Sequence, residues 1–293
     1  MVGAGSIKFW VWASLISQIG IVVTGGLVRL TASGLGCPTW PKCTDANLVA
    51  VPEQGYHAYI EFGNRLLTFV LAVIAVGTLV MVFQRGVDRA LGLRWPAIVL
   101  FLGIPAQAVL GGFTVKSHLN PWFVGAHFIL SAVMIVVATI LVWRAYSPAP
   151  AAIPQLAYAL APALAAFGAV AVVVGVLVTG AGPHAGDATS VRNGLDLSVW
   201  EHYHSYPAYL LLILTLVQLV ALARTDRAED GSRNYGLATK ITFGLLLVEI
   251  VQAVVGVAQA RLGVPAGLVE IHMLLASVLI SMIGFNYLAT RAK

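Results

Sequence analysis

The sequence predicts an all-α polytopic membrane protein with eight transmembrane helices. It further predicts two four-helix bundles related by a pseudo-twofold axis, with both termini cytoplasmic. Three observations lead there. Of 293 residues, 59% are hydrophobic and only 10% are charged, against roughly 25% charged in an average soluble domain. Long, almost uncharged apolar runs recur over the whole length, and only helices or closed barrels cross a bilayer. Finally, one pattern occurs twice. Gln107-Ala108-Val109-Leu110-Gly111, Pro121 and His127 are matched by Gln252-Ala253-Val254-Val255-Gly256, Pro265 and His272.

The spans are expected near 8–30, 59–83, 95–115, 122–143, 156–180, 203–223, 239–260 and 269–288. The first is too long for a signal peptide and lacks a convincing small-residue cleavage site, so it reads as a retained span. The net charge of +5 is a membrane-edge effect and not a nucleic-acid footprint. Eleven basic residues fall on one side: Lys8, Arg85, Arg89, Arg94, Arg144, Arg224, Arg227, Arg233, Lys240, Arg291 and Lys293. Five fall on the other: Arg29, Lys42, Lys116, Arg192 and Arg261. In a bacterial-type plasma membrane this bias predicts cytoplasmic termini. Trp10, Trp12, Trp95, Trp122, Trp143 and Trp200 sit near span ends, as an aromatic belt requires.

In chain order, the first span closes on Val23-Thr24-Gly25-Gly26, small residues that permit close packing. The outer loop from Thr31 to Cys43 holds both cysteines of the chain. On the oxidising side Cys37 and Cys43 are expected to pair, as a structural staple or as a redox-active couple. The second span opens with Glu61 and Asn64 one turn apart on the same face. An ionisable group inside a span marks function more often than not, although Arg65 could simply neutralise Glu61 as an i,i+4 partner. Pro105 predicts a kink in the third span. His127 lies early in the fourth. His57 and His118 read as solvated.

Residues 1–146 form the first unit, 147–155 a Pro- and Ala-rich linker, and 156–293 the second unit. The fifth span closes on Val178-Thr179-Gly180-Ala181, echoing the first. His184 in the next loop reads as a loop contact. The sixth span places Glu201 and His204 at the spacing of Glu61 and Asn64, so Asn64 stands where its twin has histidine. His202 points away from His204. Pro207 is expected in the first turns of its helix, and Asn286 looks unremarkable. Each half holds an even number of spans, so the repeat is parallel about the membrane normal.

Two histidines facing across a bundle core, His204 and His272, suit axial ligation of a haem iron, as in b-type cytochromes. The first half offers His127 opposite Asn64, a poor iron ligand, with the carboxylate of Glu61 alongside. One closed and one open site suggest an electron store feeding a reactive centre.

These residues also resemble the haem A synthase family. The resemblance rests on Gly26-Leu27-Val28-Arg29-Leu30-Thr31, Ser33-Gly34-Leu35-Gly36-Cys37-Pro38 with Trp40-Pro41 and Cys43, Glu61-Phe62-Gly63-Asn64-Arg65-Leu66, Gly182-Pro183-His184-Ala185-Gly186-Asp187, and the His127 and His272 helices. It implies oxidation of the methyl group of haem O to the formyl group of haem A by successive hydroxylations, for cytochrome oxidase biogenesis. It further implies haem b on His204 and His272, substrate haem O in the first half on His127, a catalytic Glu61 and a functional Cys37–Cys43 pair. A haem O synthase and cytochrome oxidase assembly proteins are the implied partners. Many members have histidine where this chain has Asn64, a departure that bears on the first site. Two other readings compete: a non-catalytic di-haem electron carrier, and a proton-coupled transporter built on Glu61.

Overall fold

A computed structural model describes residues 4–84, 92–149, 151–225 and 235–291. Among these, eight helices are long and apolar enough to span a membrane. They are α1 (Ala4–Leu30), α2 (Gly55–Phe83), α3 (Arg94–Lys116), α4 (Pro121–Tyr146), α5 (Gln155–Ala181), α6 (Leu197–Thr225), α7 (Leu237–Arg261) and α8 (Ala266–Arg291). The eight predicted spans are all present, and each helix overshoots its apolar run at one or both ends. Arg85, Arg89, Arg227, Arg233 and Lys293 lie outside the described residues.

The helix ends follow from local chemistry. Asn120 caps α4 by accepting from the Trp122 amide at 3.0 Å, and Pro121 fills the first helical position. Ser147 stops the same helix in the left-handed region. Helix α6 starts six residues before its predicted span. Asp196 accepts the Ser198 amide at 2.9 Å and hydroxyl at 2.7 Å, which starts the helix early. Those two bonds, the hydroxyl's first, also hold the Asp196 carboxyl below its ordinary range. As a consequence Pro207 sits in the third turn and not in the first turns. Pro105 and Pro162 are also interior to helices, and both helices run on as single elements.

The helices do not pack uniformly. α1 packs on α2, α2 on α3, α3 on α4 and α4 back on α1, which closes a ring. α5, α6, α7 and α8 close a second ring in the same order. The seam between them is made by α8 against α1 and α4, with α4 also touching α5. α4 is accordingly the most deeply buried span, and Met134, Ile135, Ala138 and Leu141 on it anchor the main core with Val11, Leu15 and Leu100. The opposite, outward faces are apolar as well. Phe69, Val73, Val76 and Val80 form an exposed stripe on α2, which only lipid can solvate cheaply. Small polar groups join the buried seams: Ser14 to Thr78 at 2.9 Å and Thr139 to Ser281 at 2.9 Å.

The loops at one rim are tied across the seam. Arg29 donates to the Thr179 carbonyl at 2.6 Å, and the Gly34 amide donates to the Gly186 carbonyl at 2.8 Å. His184 makes its expected loop contact, with the Val264 carbonyl at 2.8 Å. His118 is exposed as read. His57 departs from expectation: it bonds Ser33 at 2.9 Å and stacks on Tyr56 at a ring separation of 4.0 Å. A helix-start histidine beside a folded loop finds partners that a sequence pattern does not reveal.

Candidate functional site

The second ring brings His204 and His272 together. They come from α6 and α8, which lie across the ring from one another, and their ring centroids are 6.2 Å apart at an interplanar angle of 68°. Two glycines make room. A Cβ on Gly175 of α5 would stand 2.9 Å from His204, and one on Gly256 of α7 would stand 3.1 Å from His272. Gln252 fixes the α7–α8 register by donating to the His272 carbonyl at 3.2 Å. His202, by contrast, is exposed and bonds the Ser198 carbonyl.

The first ring repeats half of this arrangement. Gln107 donates to the His127 carbonyl at 3.4 Å, and a Cβ on Gly111 would stand 3.4 Å from the His127 ring. Asn64, which stands in the place of His204, accepts from Thr24 at 2.7 Å. A Cβ on Gly20, which corresponds to Gly175, would meet nothing within 4 Å. The shorter side chain thus leaves open the space its twin's imidazole fills.

Nδ1 of His127, His204 and His272 is buried without a hydrogen-bond partner. Such an orphan costs about 1–3 kcal/mol. Two imidazoles that share one ion at about 2 Å each have ring centroids about 6 Å apart, which is the separation seen here. Among the described residues no group of three or more His, Cys, Asp and Glu side chains could hold a bare ion. A macrocycle brings its own equatorial nitrogens and needs only the axial pair. The residues therefore fit a bis-imidazole haem in the second ring, and an imidazole with an open face in the first.

Glu61 is built into the outer loop. It is 5% exposed. Oε2 accepts the Cys37 amide at 2.7 Å, and Oε1 accepts from both Nε and Nη2 of Arg65. Arg65 also donates to the carbonyls of Cys37 at 2.9 Å and Thr39 at 3.0 Å. The Glu61–Arg65 pair foreseen as self-neutralising is real, but it does more: it fastens the loop to α2. The Cys37–Cys43 disulfide forms, with both residues fully buried against Ala58. Thiol exchange needs access, so burial favours the staple over the redox couple. Trp40 of this loop lies on Gly112 of α3, with a Cβ-to-ring approach of 2.6 Å.

The family model of COX15-CtaA, described as cytochrome oxidase assembly protein, matches residues 8–284. The chain belongs to that family. Relatives similar to this COX15-CtaA chain are named heme A synthase. The one from Geobacillus thermodenitrificans is 32% identical over 124 residues, which cover 42% of this chain and 38% of that protein. The one from Methylobacterium radiotolerans is 24% identical over 340 aligned positions, covering 95% of this chain and 88% of that protein. The one from Rickettsia africae is 23% identical, covering 97% and 98%. Within the family frame, sequence reasoning passed over several residues. Arg65 was read only as a neutraliser, and Gly175 and Thr24 were not assigned to the sites. Asn286, read as unremarkable, is 1% exposed and bonded to Gln218 at 2.9 Å and Thr242 at 2.7 Å. Glu249 is 6% exposed within α7; an ionisable residue in mid-span was the signal that could have found it.

Proposed function

We propose that this protein is a haem A synthase that oxidises the methyl group of haem O to the formyl group of haem A. The paired imidazoles of His204 and His272 carry the reading. They would hold a haem b, which supplies one-electron storage when bound. In the other ring His127 would hold the iron of the substrate haem O, with Asn64 leaving the opposite face uncrowded. Glu61, one turn from Asn64 on α2, would stabilise positive charge that develops on the substrate or accept a proton from it. Its two hydrogen-bonded anchors keep it from swinging away. Arg65 and the disulfide loop orient Glu61 and exclude water from the side they cover.

The same reading takes the two rings as parallel repeats, residues 1–146 and 156–293 joined by the linker 147–155. Their common neighbour order supports a pseudo-twofold axis along the membrane normal. The bias of basic residues supports cytoplasmic termini in a plasma membrane. A haem O synthase as the supplier and cytochrome oxidase assembly proteins as recipients are the partners the family membership supports.

The deciding experiment is extraction and mass analysis of the pigment of the purified protein. Haem b together with haem O or haem A is the expected result. Protein free of haem would favour the transporter reading. Two tightly held six-coordinate haems without any haem A would favour the electron carrier.

A further inference from the structure

The second ring holds a buried polar ladder that the first lacks. Thr215 of α6 donates to Oε1 of Glu249 on α7 at 2.8 Å, while Oε2 is buried with no hydrogen-bond partner. One turn along α6 from Thr215, Gln218 donates to the Ala157 carbonyl of α5 at 2.9 Å and accepts from Asn286 of α8. Asn286 also donates to Thr242, two turns along α7 from Glu249. Thr215, Gln218 and Thr242 are fully buried. The residues in matching positions of the first ring are Ala75, Thr78, Ala97, Ile104 and Leu141. The carboxyl and the amide are thus replaced by Ile104 and Leu141, both buried in hydrocarbon packing.

A lone carboxylate inside a span is expensive, so the carboxyl is kept neutral by a proton unless a positive charge nearby stabilises its ionised form. The elements packed on α7 are α6 and α8. From α6 the group facing Glu249 is the neutral hydroxyl of Thr215. The ionisable groups on α6 and α8 within the outer half are Glu201, His202, His204, Glu270 and His272, with Tyr203, Tyr206 and Tyr209 also on α6, and Arg224, Tyr287 and Arg291 mark the other end. Glu249 lies seven residues, about 10 Å, along α7 from Gly256 under His272. Thr215 lies eleven residues, about 16 Å, along α6 from His204. That is near enough for a charge to be felt in a low dielectric and too far for direct bonding.

We propose that Glu249 is a redox-linked proton site. When one electron from an external one-electron reductant reaches the His204–His272 site, the Glu249 carboxylate takes up one proton from the water at the α6–α7 loop face. It releases that proton when the electron leaves. Gln218, Asn286 and Thr242 line the approach from that face. This inference rests on the reading that His204 and His272 hold a haem.

The test is a mediated spectroelectrochemical titration of the purified holoprotein, run over a range of pH, for the wild type, Glu249→Gln and Thr215→Val. One proton per electron lowers the midpoint potential by about 59 mV per tenfold fall in proton concentration. The wild type is expected to approach that slope, and Glu249→Gln to be flat over the same range. Thr215→Val keeps the carboxyl but removes its hydrogen bond, so it keeps the slope and moves its pH window. It also shifts a carboxyl band in the reduced-minus-oxidised infrared spectrum. A Glu249→Gln slope equal to the wild type's overturns the proposal, as does a flat wild type. If the glutamine variant does not fold, an infrared carboxyl band that Thr215→Val leaves unmoved overturns it instead. A wild-type spectrum with no six-coordinate haem is a different failure, that of the His204–His272 assignment.

Discussion

The imidazoles of His204 and His272 stand 6.2 Å apart, centroid to centroid, across the second ring. Each rests on a glycine of the neighbouring helix, where an added Cβ would stand 2.9 Å from His204 and 3.1 Å from His272. Replacing either histidine with alanine should abolish a low-spin haem signal in absorption or electron paramagnetic resonance. Gly175→Ala is the finer probe. The added methyl must push the His204 ring aside, at a cost of about 1–3 kcal/mol typical of overpacking. The low-spin signal should weaken or shift while helical circular dichroism is unchanged. An unaltered signal would count against His204 as a ligand.

Asn64→His should do the reverse in the first ring. The space beside Gly20 is open, so an imidazole can enter where its twin sits over Gly175. A second six-coordinate species should appear when haem O is supplied. High-spin character retained in the variant would show that Asn64 does not face His127.

Removing the charge of Glu61 with Glu61→Gln keeps the acceptor for the Cys37 amide but loses the match to Arg65. Haem O or a hydroxylated intermediate should accumulate, with turnover down by about 10²- to 10⁴-fold as for a lost acid–base or charge-stabilising group. Liquid chromatography of extracted haems reads the outcome, and a normal haem A yield would remove Glu61 from the reaction.

Arg65→Ala is expected to be worse for the fold than Glu61→Gln. It strands Glu61 without its counter-charge, a loss of about 3–5 kcal/mol for a buried pair, and frees the carbonyls of Cys37 and Thr39. A thermal melt in detergent should show Arg65→Ala falling well below Glu61→Gln. Equal melting temperatures would mean the pair is not buried in the working protein.

The Cys37–Cys43 bridge closes a small loop, for which loss costs about 2–3 kcal/mol. The double serine variant should melt lower and lose turnover together, because the Cys37 amide that holds Glu61 loosens with the loop. The intact protein should resist mild reductants, since both cysteines are buried. Loss of turnover with unchanged melting would restore the redox reading.

Patterns confined to one or two helices were readable from residues alone. The Gln107/His127 and Gln252/His272 repeat is local, and the same glutamine-to-backbone contact appears in both copies. The eight spans followed from hydropathy. What escaped depended on neighbours far away in sequence. Gly175 matters only because α5 packs on α6, and Arg65 matters because a folded loop returns its carbonyls to α2. Asn286 sits near the end of the last span, where polar residues are common, and only the packing of four helices turns it inward. The start of α6 was misplaced because its cap, Asp196, precedes a stretch whose Glu and His residues look like a water-exposed lead-in.

The rim contacts from Arg29 to Thr179 and from Gly34 to Gly186 have a mechanical outcome. Together with α8 packed on α1 and α4, they join the two rings at the rim as well as along the seam. Haems held in the two rings, as proposed, would share one common frame. On the proposed function, an electron exchanged between haems in the two rings would cross a scaffold joined along the seam and at the rim.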